Sequence, residues 1–273
     1  MMPVHRFFRS FLVVTACAAM LGCATTGEDP DYKPRVGQVG KDVVWVPTNQ
    51  VLVDRMLDMA DLTPKDYLVD LGSGDGRTVI TAAKRGVRAH GIEYNADMVA
   101  LSKRAAQAEG VSRRATFAQG DIFESDFSDA TVVTLYLLPD LNARLRPILL
   151  AMKPGTRVLS NSFEMGEWPA DDSVHITENC PGYCIAYKWV VPARVEGTWS
   201  TGNGRLELKQ NFQMLEGVLH EGGSARPIGD ARLDGTRIRF NVGEDRYTGE
   251  VDGGEMRGTV NGSRPWQATR QAG

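Results

Sequence analysis

Long apolar runs are missing from this sequence. No stretch of about 18 or more apolar residues occurs in its 273 residues, which excludes a polytopic membrane protein. An excess of basic charge is missing too. Lys and Arg number 31 against 34 Asp and Glu, a formal charge of −3, so no nucleic-acid partner is expected. Histidine is scarce. His5, His90, His175 and His220 are scattered with no metal-ligand spacing, so no metal site is expected. Only 4 cysteines occur. What is present is 42% hydrophobic residues, enough to offset the entropy of ordering the chain and to exclude a largely disordered protein. The length suits one large domain or two smaller ones.

The N-terminus carries Arg6 and Arg9 and no acid, then the apolar run FLVVTACAAML at 11–21, then Gly22-Cys23-Ala24. Basic residues, a short apolar core and a small residue before the cut make a secretory signal, too short to span a bilayer as a helix. The segment around Cys23 resembles a bacterial lipobox, with Met20 where Leu is usual. That resemblance implies cleavage after residue 22 and lipid on the Cys23 thiol. The alternatives are an ordinary signal peptide, or a mis-assigned start and a cytosolic protein. Under the lipobox reading the protein is lipid-anchored in a bacterial cell envelope, facing the periplasm or at the outer membrane. Residues 23–40 then read as a polar tether rich in Gly and Pro.

Composition changes near residue 192. Residues 41–191 alternate strand-like apolar runs with amphipathic helix-length stretches, the βαβ pattern of a parallel sheet. Strands are expected at 67–72, 87–94, 115–121, 130–138 and 156–163. Helices are expected at 77–85, 96–109 and 141–152. Segments 173–178 and 184–191 read as an antiparallel hairpin. Residues 192–273 hold 15 of the 29 glycines. Turn signals recur there at Asn203-Gly204, Gly222-Gly223, Asp234-Gly235, Gly253-Gly254 and Asn261-Gly262. Short alternating strands between regular turns indicate a small all-β domain: a meander, a barrel or a sandwich.

The chemistry lies in the first domain. Asp70, Gly72, Ser73, Gly74 and Gly76 follow a buried strand and open a helix. Glycines there permit a tight turn and close approach of a ligand to the backbone. The spacing is GxGxG, not the GxGxxG of a dinucleotide loop. Glu93 ends the next strand, where a carboxylate accepts from both ribose hydroxyls. Asp121 ends the third and can accept from an adenine amine, with Ile122 against the ring. A Gly loop alone is equally a plain strand–helix connector. Acids at three successive strand ends define a nucleoside crevice.

VDLGSGDGRTVI, GIEYNADMV and GDIFESDF resemble the motifs of class I methyltransferases that use S-adenosylmethionine. WVPTNQVLVDRML (45–57), VVTLYLLPDLNARLRP (132–147) and SFEMGEWPAD (162–171) are similar to bacterial methyltransferase-like proteins and to mitochondrial lysine methyltransferases. A more distant likeness is to the non-SET histone-lysine methyltransferases. The resemblance covers about 43–191. It implies a Rossmann-like doubly wound α/β methyltransferase sheet with a β hairpin, followed by the small all-β domain. Gly197-Thr198-Trp199 in that last domain faintly resembles lipocalin-type strands. The resemblance implies that Asp70, Gly72, Ser73, Gly74 and Gly76 surround the methionine part of the cofactor. Glu93 falls on ribose, and Asp121 with Ile122 on adenine. Pro47 and Thr48 match the segment that closes over the cofactor. Asn161-Ser162-Phe163 departs from relatives that carry an acid before the Phe.

The implied activity is methyl transfer from S-adenosylmethionine to a protein lysine or another amine. A sulfonium donor needs alignment more than a catalytic triad. Tyr136 and Glu164 are candidates on the acceptor side, with Trp168 either a substrate wall or a loop anchor. Tyr136 is equally readable as an aromatic packed in the core or against the cofactor. Cys180 and Cys184 form a disulfide across the hairpin turn, or a redox or metal pair. Export conflicts with a cofactor made in the cytosol. The other functional reading is therefore an envelope lipoprotein that uses a non-catalytic methyltransferase fold for binding or scaffolding.

Overall fold

The computed structural model describes residues 31–271. The signal segment (1–22), Cys23 and the tether up to residue 30 lie outside the described residues. Helix α1 (Gln50–Met59) begins where the Asn49 side chain accepts from the Val51 N–H, and it buries Leu52, Val53, Met56 and Leu57. Strand β1 (Tyr67–Leu71) is buried along almost its whole length, as a central parallel strand must be. There follow α2 (Arg77–Lys84), β2 (Arg88–Glu93), α3 (Ala96–Ala108) and β3 (Ala115–Gln119). Next come β4 (Val132–Leu135), α4 (Pro139–Leu150), β5 (Arg157–Asn161), β6 (Asp172–His175) and β7 (Ile185–Val190).

The sheet order is β3-β2-β1-β4-β5-β7-β6. Strands β1 to β5 are parallel; β7 runs antiparallel to β5, and β6 antiparallel to β7. The order reverses between β1 and β4, which opens a crevice above their C-terminal ends. Three departures from the expected boundaries bear on the site. The strand expected over 130–138 is confined to β4, because Pro139 starts α4 and the chain must leave the sheet to reach it. Tyr136 therefore sits on a loop, not on a strand. The third strand ends at Gln119, which frees Gly120 and Asp121 to turn over the sheet edge. The ordered fold also reaches back into the expected tether. Gly37 donates to the Trp45 carbonyl at 2.8 Å and Trp45 to the Gln38 carbonyl at 2.9 Å, so residues 37–45 form a folded strap.

Alternation at period 2 governs the rest. Strands β8 (Gly197–Thr201), β9 (Gly204–Asn211), β10 (Met214–Glu221) and β11 (Ser224–Pro227) are followed by β12 (Gly229–Asp234) and β13 (Arg237–Val242). Then come β14 (Asp245–Asp252), β15 (Glu255–Val260) and β16 (Arg264–Arg270). Successive strands pair antiparallel, and β16 returns to β8. With β11 as a flanking strand, eight strands close into a barrel. Its interior is filled by side chains such as Trp199, Leu206, Leu233, Phe240, Val251 and Met256. Trp199 donates to the Val195 carbonyl at 2.8 Å, which satisfies its buried N–H.

Sheet and barrel are joined by the Arg232–Asp171 ion pair and by a buried aromatic contact. Trp168 is 0% exposed, stacks on Phe212 of the barrel and donates to Gln213 Oε1 at 3.0 Å. Gln213 in turn donates to the Pro169 carbonyl at 2.7 Å. Of the two readings of Trp168, the structure selects the anchor: the ring is enclosed between domains and reaches no substrate. Trp168→Phe retains most packing but strands Gln213 Oε1, at a cost of about 1–3 kcal/mol. Trp168→Ala adds a cavity and should cost about 3–5 kcal/mol. Urea unfolding of both variants is expected to give that order, and an unchanged stability of Trp168→Phe would show that the hydrogen bond contributes nothing.

Candidate active site

The crevice is built from strand ends. After β1 the chain turns through Gly72, Gly74 and Gly76, with φ of 75°, 54° and 79°. Two of them have no room for a side chain. A Cβ on Gly74 would lie 2.7 Å from Trp45 Nε1, and one on Gly76 2.7 Å from the Phe117 ring. Glu93, at the end of β2, holds the loop. Its Oε2 accepts from the Gly74 N–H and its Oε1 from the Asn95 N–H, both at 2.9 Å. Each carboxylate oxygen keeps a further lone pair for a ligand hydroxyl. Ser73 Oγ is buried with no hydrogen-bond partner among the described residues. A buried hydroxyl of this kind is costly unless something accepts from it or donates to it.

Asp70 lies at the base. It is 7% exposed and accepts from Thr134 Oγ1 at 2.6 Å. Burial pushes its carboxyl up to about 7; the Thr134 hydrogen bond opposes this, and the charges of Asp75 and Glu93 add to it. At the end of β3, Asp121 Oδ1 accepts from the Phe123 N–H at 2.9 Å, and Oδ2 is paired with Lys41. The Lys41 ammonium holds the Asp121 carboxyl below its usual range. No sequence signal pointed to Lys41, which lies 80 positions away and arrives only because the strap folds across β3.

The strap is pinned at its far end as well. Arg77 donates to the Thr48 carbonyl at 2.8 Å, and Asn161 donates to Thr48 Oγ1 at 3.3 Å. Pro47, Thr48, Asp70, Gly72, Ser73, Gly74, Glu93, Asp121 and Ile122 all line one cavity; Gly76 lies just behind it, at the start of α2. On the opposite side the same cavity is walled by Tyr136, Phe163 and Tyr183. Ser162, at φ 63°, turns the chain after β5 so that the Phe163 ring stacks with Tyr136, 6.2 Å between centroids. Glu164 does not belong to this wall, contrary to expectation. Its side chain is exposed and outside the cavity lining, because the turn at Ser162 sends Phe163 inward and Glu164 outward. Trp45, Arg77 and Tyr183 join the site without having been expected there. Arg77 directly follows the Gly loop and Tyr183 lies between the paired cysteines, and those positions were their only local signals.

A seven-stranded sheet in this order, with a glycine turn and acids at successive strand ends, is the architecture of a class I methyltransferase. Comparison with known proteins agrees. The ANTKMT methyltransferase domain matches residues 70–172. A protein-lysine N-methyltransferase of Saccharolobus islandicus is 38% identical over 152 residues, 55% of this chain and 94% of that protein. An adenine nucleotide translocase lysine N-methyltransferase of Mus musculus is 36% identical over 37% of this chain and 45% of its own length. An RNA methyltransferase of Salinibacter ruber, solved with S-adenosyl-L-homocysteine, is 47% identical with a TM-score of 0.52, covering 55% of this chain and 96% of that one. The chain belongs to this family, the S-adenosylmethionine-dependent methyltransferases of class I that include protein-lysine methyltransferases.

The cavity suits that cofactor. Asp70, Asp75, Glu93 and Asp121 are acidic, and the cofactor carries a sulfonium and an ammonium; the unpartnered Ser73 hydroxyl supplies a waiting polar contact. A cation in the crevice binds the ionised form of Asp70 preferentially. Cofactor affinity should therefore rise as pH increases through about 7, with a proton released on binding near neutrality. Calorimetry in buffers of different ionisation enthalpy measures that proton. Asp70→Asn should abolish the release and weaken binding by about 1.5–3 kcal/mol at pH 8. A proton count of zero in the parent protein would sever Asp70 from the site.

Proposed function

We propose that this methyltransferase acts on the side-chain amine of a protein lysine. The observation that carries the reading is the acceptor wall: Tyr136, Phe163 and Tyr183 face the cavity beside the anionic crevice. The bound cofactor supplies an already activated methyl group. The chain then has to deliver a neutral amine in line. Loss of water around the amine as it enters the crevice lowers its pKa and so favours the neutral form at the moment of transfer. Burial, with the Tyr183 phenol beside it, pushes the Tyr136 hydroxyl up to about 12, so it stays protonated and serves as a fixed dipole rather than a base. The proton lost by the lysine goes to water.

The roles within the crevice follow the same reading. Glu93 takes the ribose hydroxyls, Asp70 and the Gly loop hold the methionine end, and Ile122 with Asp121 receives the adenine. Asp121 shares its carboxylate with Lys41, so the strap forms part of the adenine site. Two relatives are named lysine methyltransferases, which supports an amine acceptor. The Salinibacter relative, named an RNA methyltransferase, supports an RNA acceptor instead. The net charge of −3, and a barrel domain with equal numbers of acids and bases, speak against a polyanion. Labelled S-adenosylmethionine offered with lysine peptides and with RNA decides between them. Transfer to peptide, lost when lysine is replaced by arginine, is expected; transfer to RNA alone would overturn it.

Cys23 is the proposed lipid attachment point, holding the protein at the membrane from the periplasmic side. The order of basic residues, apolar run and Gly22-Cys23 supports it. Stable anchoring takes more than one acyl chain, each buried methylene contributing about 0.8 kcal/mol. Labelling with a palmitate analogue should mark the parent protein and not Cys23→Ser. Label persisting in the variant would remove the assignment.

A further inference from the structure

The connection from β6 to β7 brings Tyr183 to the cavity from the far edge of the sheet. Its neighbours Cys180 and Cys184 are joined by a disulfide that closes the stretch Cys-Pro-Gly-Tyr-Cys on itself. Cys184 is buried, and Cys180 packs against the core formed by α1 and α2, so the bridge ties a surface turn to the interior. Tyr183 itself is 56% exposed. A large aromatic half in water gains little from core packing, which leaves its position to be explained by what it faces.

It faces two other rings. Tyr183 lies 6.0 Å from Tyr136 and 5.9 Å from Phe163, and those two lie 6.2 Å apart. The centroids form a nearly equilateral triangle. Tyr136 and Phe163 are within 21° of parallel, and Tyr183 is tilted by 59° and 47° against them, so it turns a stacked pair into a three-sided surface. A cation seated over that triangle is within about 6 Å of all three centroids, the range in which a ring face attracts positive charge. Methylated ammonium groups are weakly hydrated and suit such a surface better than a bare ammonium.

We infer that Tyr136, Phe163 and Tyr183 form a recognition box for the methylated, cationic form of the acceptor amine, with Tyr183 held in it by the Cys180–Cys184 bridge. The inference rests on the amine-acceptor reading above and deepens it. A box of this kind retains a partly methylated amine, so successive transfers to one nitrogen are favoured. The bridge sets the third wall. A dithiol reductant delivers two electrons and two protons to the S–S bond, becomes a disulfide itself, and leaves two thiols. Tyr183 is then constrained only by a turn that contains Gly182 at φ 91° and Asn179 at φ 56°.

The full chain, saturated with S-adenosylhomocysteine, is titrated with Nε-trimethyl-lysine amide and with its neutral isostere in which carbon replaces the quaternary nitrogen. The charged probe should bind about fivefold more tightly, the effect of one good ring–cation contact. Tyr183→Ala, Cys180→Ser with Cys184→Ser, and the dithiol-reduced parent should each lose most of that preference, whereas Tyr183→Phe keeps it. S-adenosylhomocysteine affinity within about twofold of the parent shows that the cofactor crevice is intact in each. Equal binding of the two probes, or an unaltered preference in Tyr183→Ala, overturns the box. A preference that survives reduction overturns the role of the bridge. Transfer to RNA alone would sink the acceptor reading and is a separate measurement, so the two fail independently.

Discussion

Both oxygens of Glu93 are committed to backbone N–H groups, one in the glycine turn and one at the cap of α3. This is the constraint on which the crevice depends. The turn after β1 is left-handed at three glycines, a conformation with no internal reason to persist. A charge-assisted bond to the Gly74 N–H selects it from the many that glycine allows. The same carboxylate, by fixing Asn95, lets the Asn95 side chain accept from the Asp97 and Met98 N–H groups and start α3. One acid at a strand end thus sets the loop over one strand and the helix after the next, before any ligand is present.

The strap depends on that arrangement in turn. Trp45 packs where only a glycine leaves room, and Lys41 and Thr48 fasten the segment to β3 and β5 on either side of the crevice. Arg77 makes the connection double, since it reaches Thr48 while bound to Asp75 in the glycine turn. Closing the crevice and shaping its floor are therefore one coupled event. The barrel takes no part in this geometry. Its interior is filled, and it meets the sheet domain through Trp168, Phe212 and Gln213 and through the Arg232–Asp171 pair, none of which lines the cavity.

What the sequence disclosed divides along physical lines. Alternating apolar runs and turn residues are local signals, so the parallel strands, the helices between them and the change to short β strands near residue 192 were legible. The acids Asp70, Glu93 and Asp121 were legible because strand ends are. Contacts made across long separations were not. Lys41 meets Asp121, Trp168 meets Gln213 and Tyr183 meets Tyr136 through tertiary folding, and no period or spacing encodes those meetings. Closure of the barrel belongs with them, since β16 pairs with β8 across most of the domain. The misassignment of Glu164 has a local cause of another kind. A single left-handed residue, Ser162, reverses which neighbour faces the cavity, and serine gives no warning of that conformation.

The crevice also bears on stability. Asp70 is raised by burial to about 7, above the ordinary carboxylate value near 3.8, so the folded protein holds its proton more tightly than the unfolded chain. Its effect on stability is therefore neutral below about pH 4, and stability falls as pH rises from there to about 7, by an amount on the order of a few kcal/mol. Clustering Asp75 and Glu93 beside it works in the same direction. A cationic ligand opposes this effect, because it binds the ionised carboxyl and lowers its pKa. The charge arrangement that destabilises the empty crevice near neutrality is thus the one that holds a sulfonium cofactor, and the filled, neutral barrel carries none of that strain.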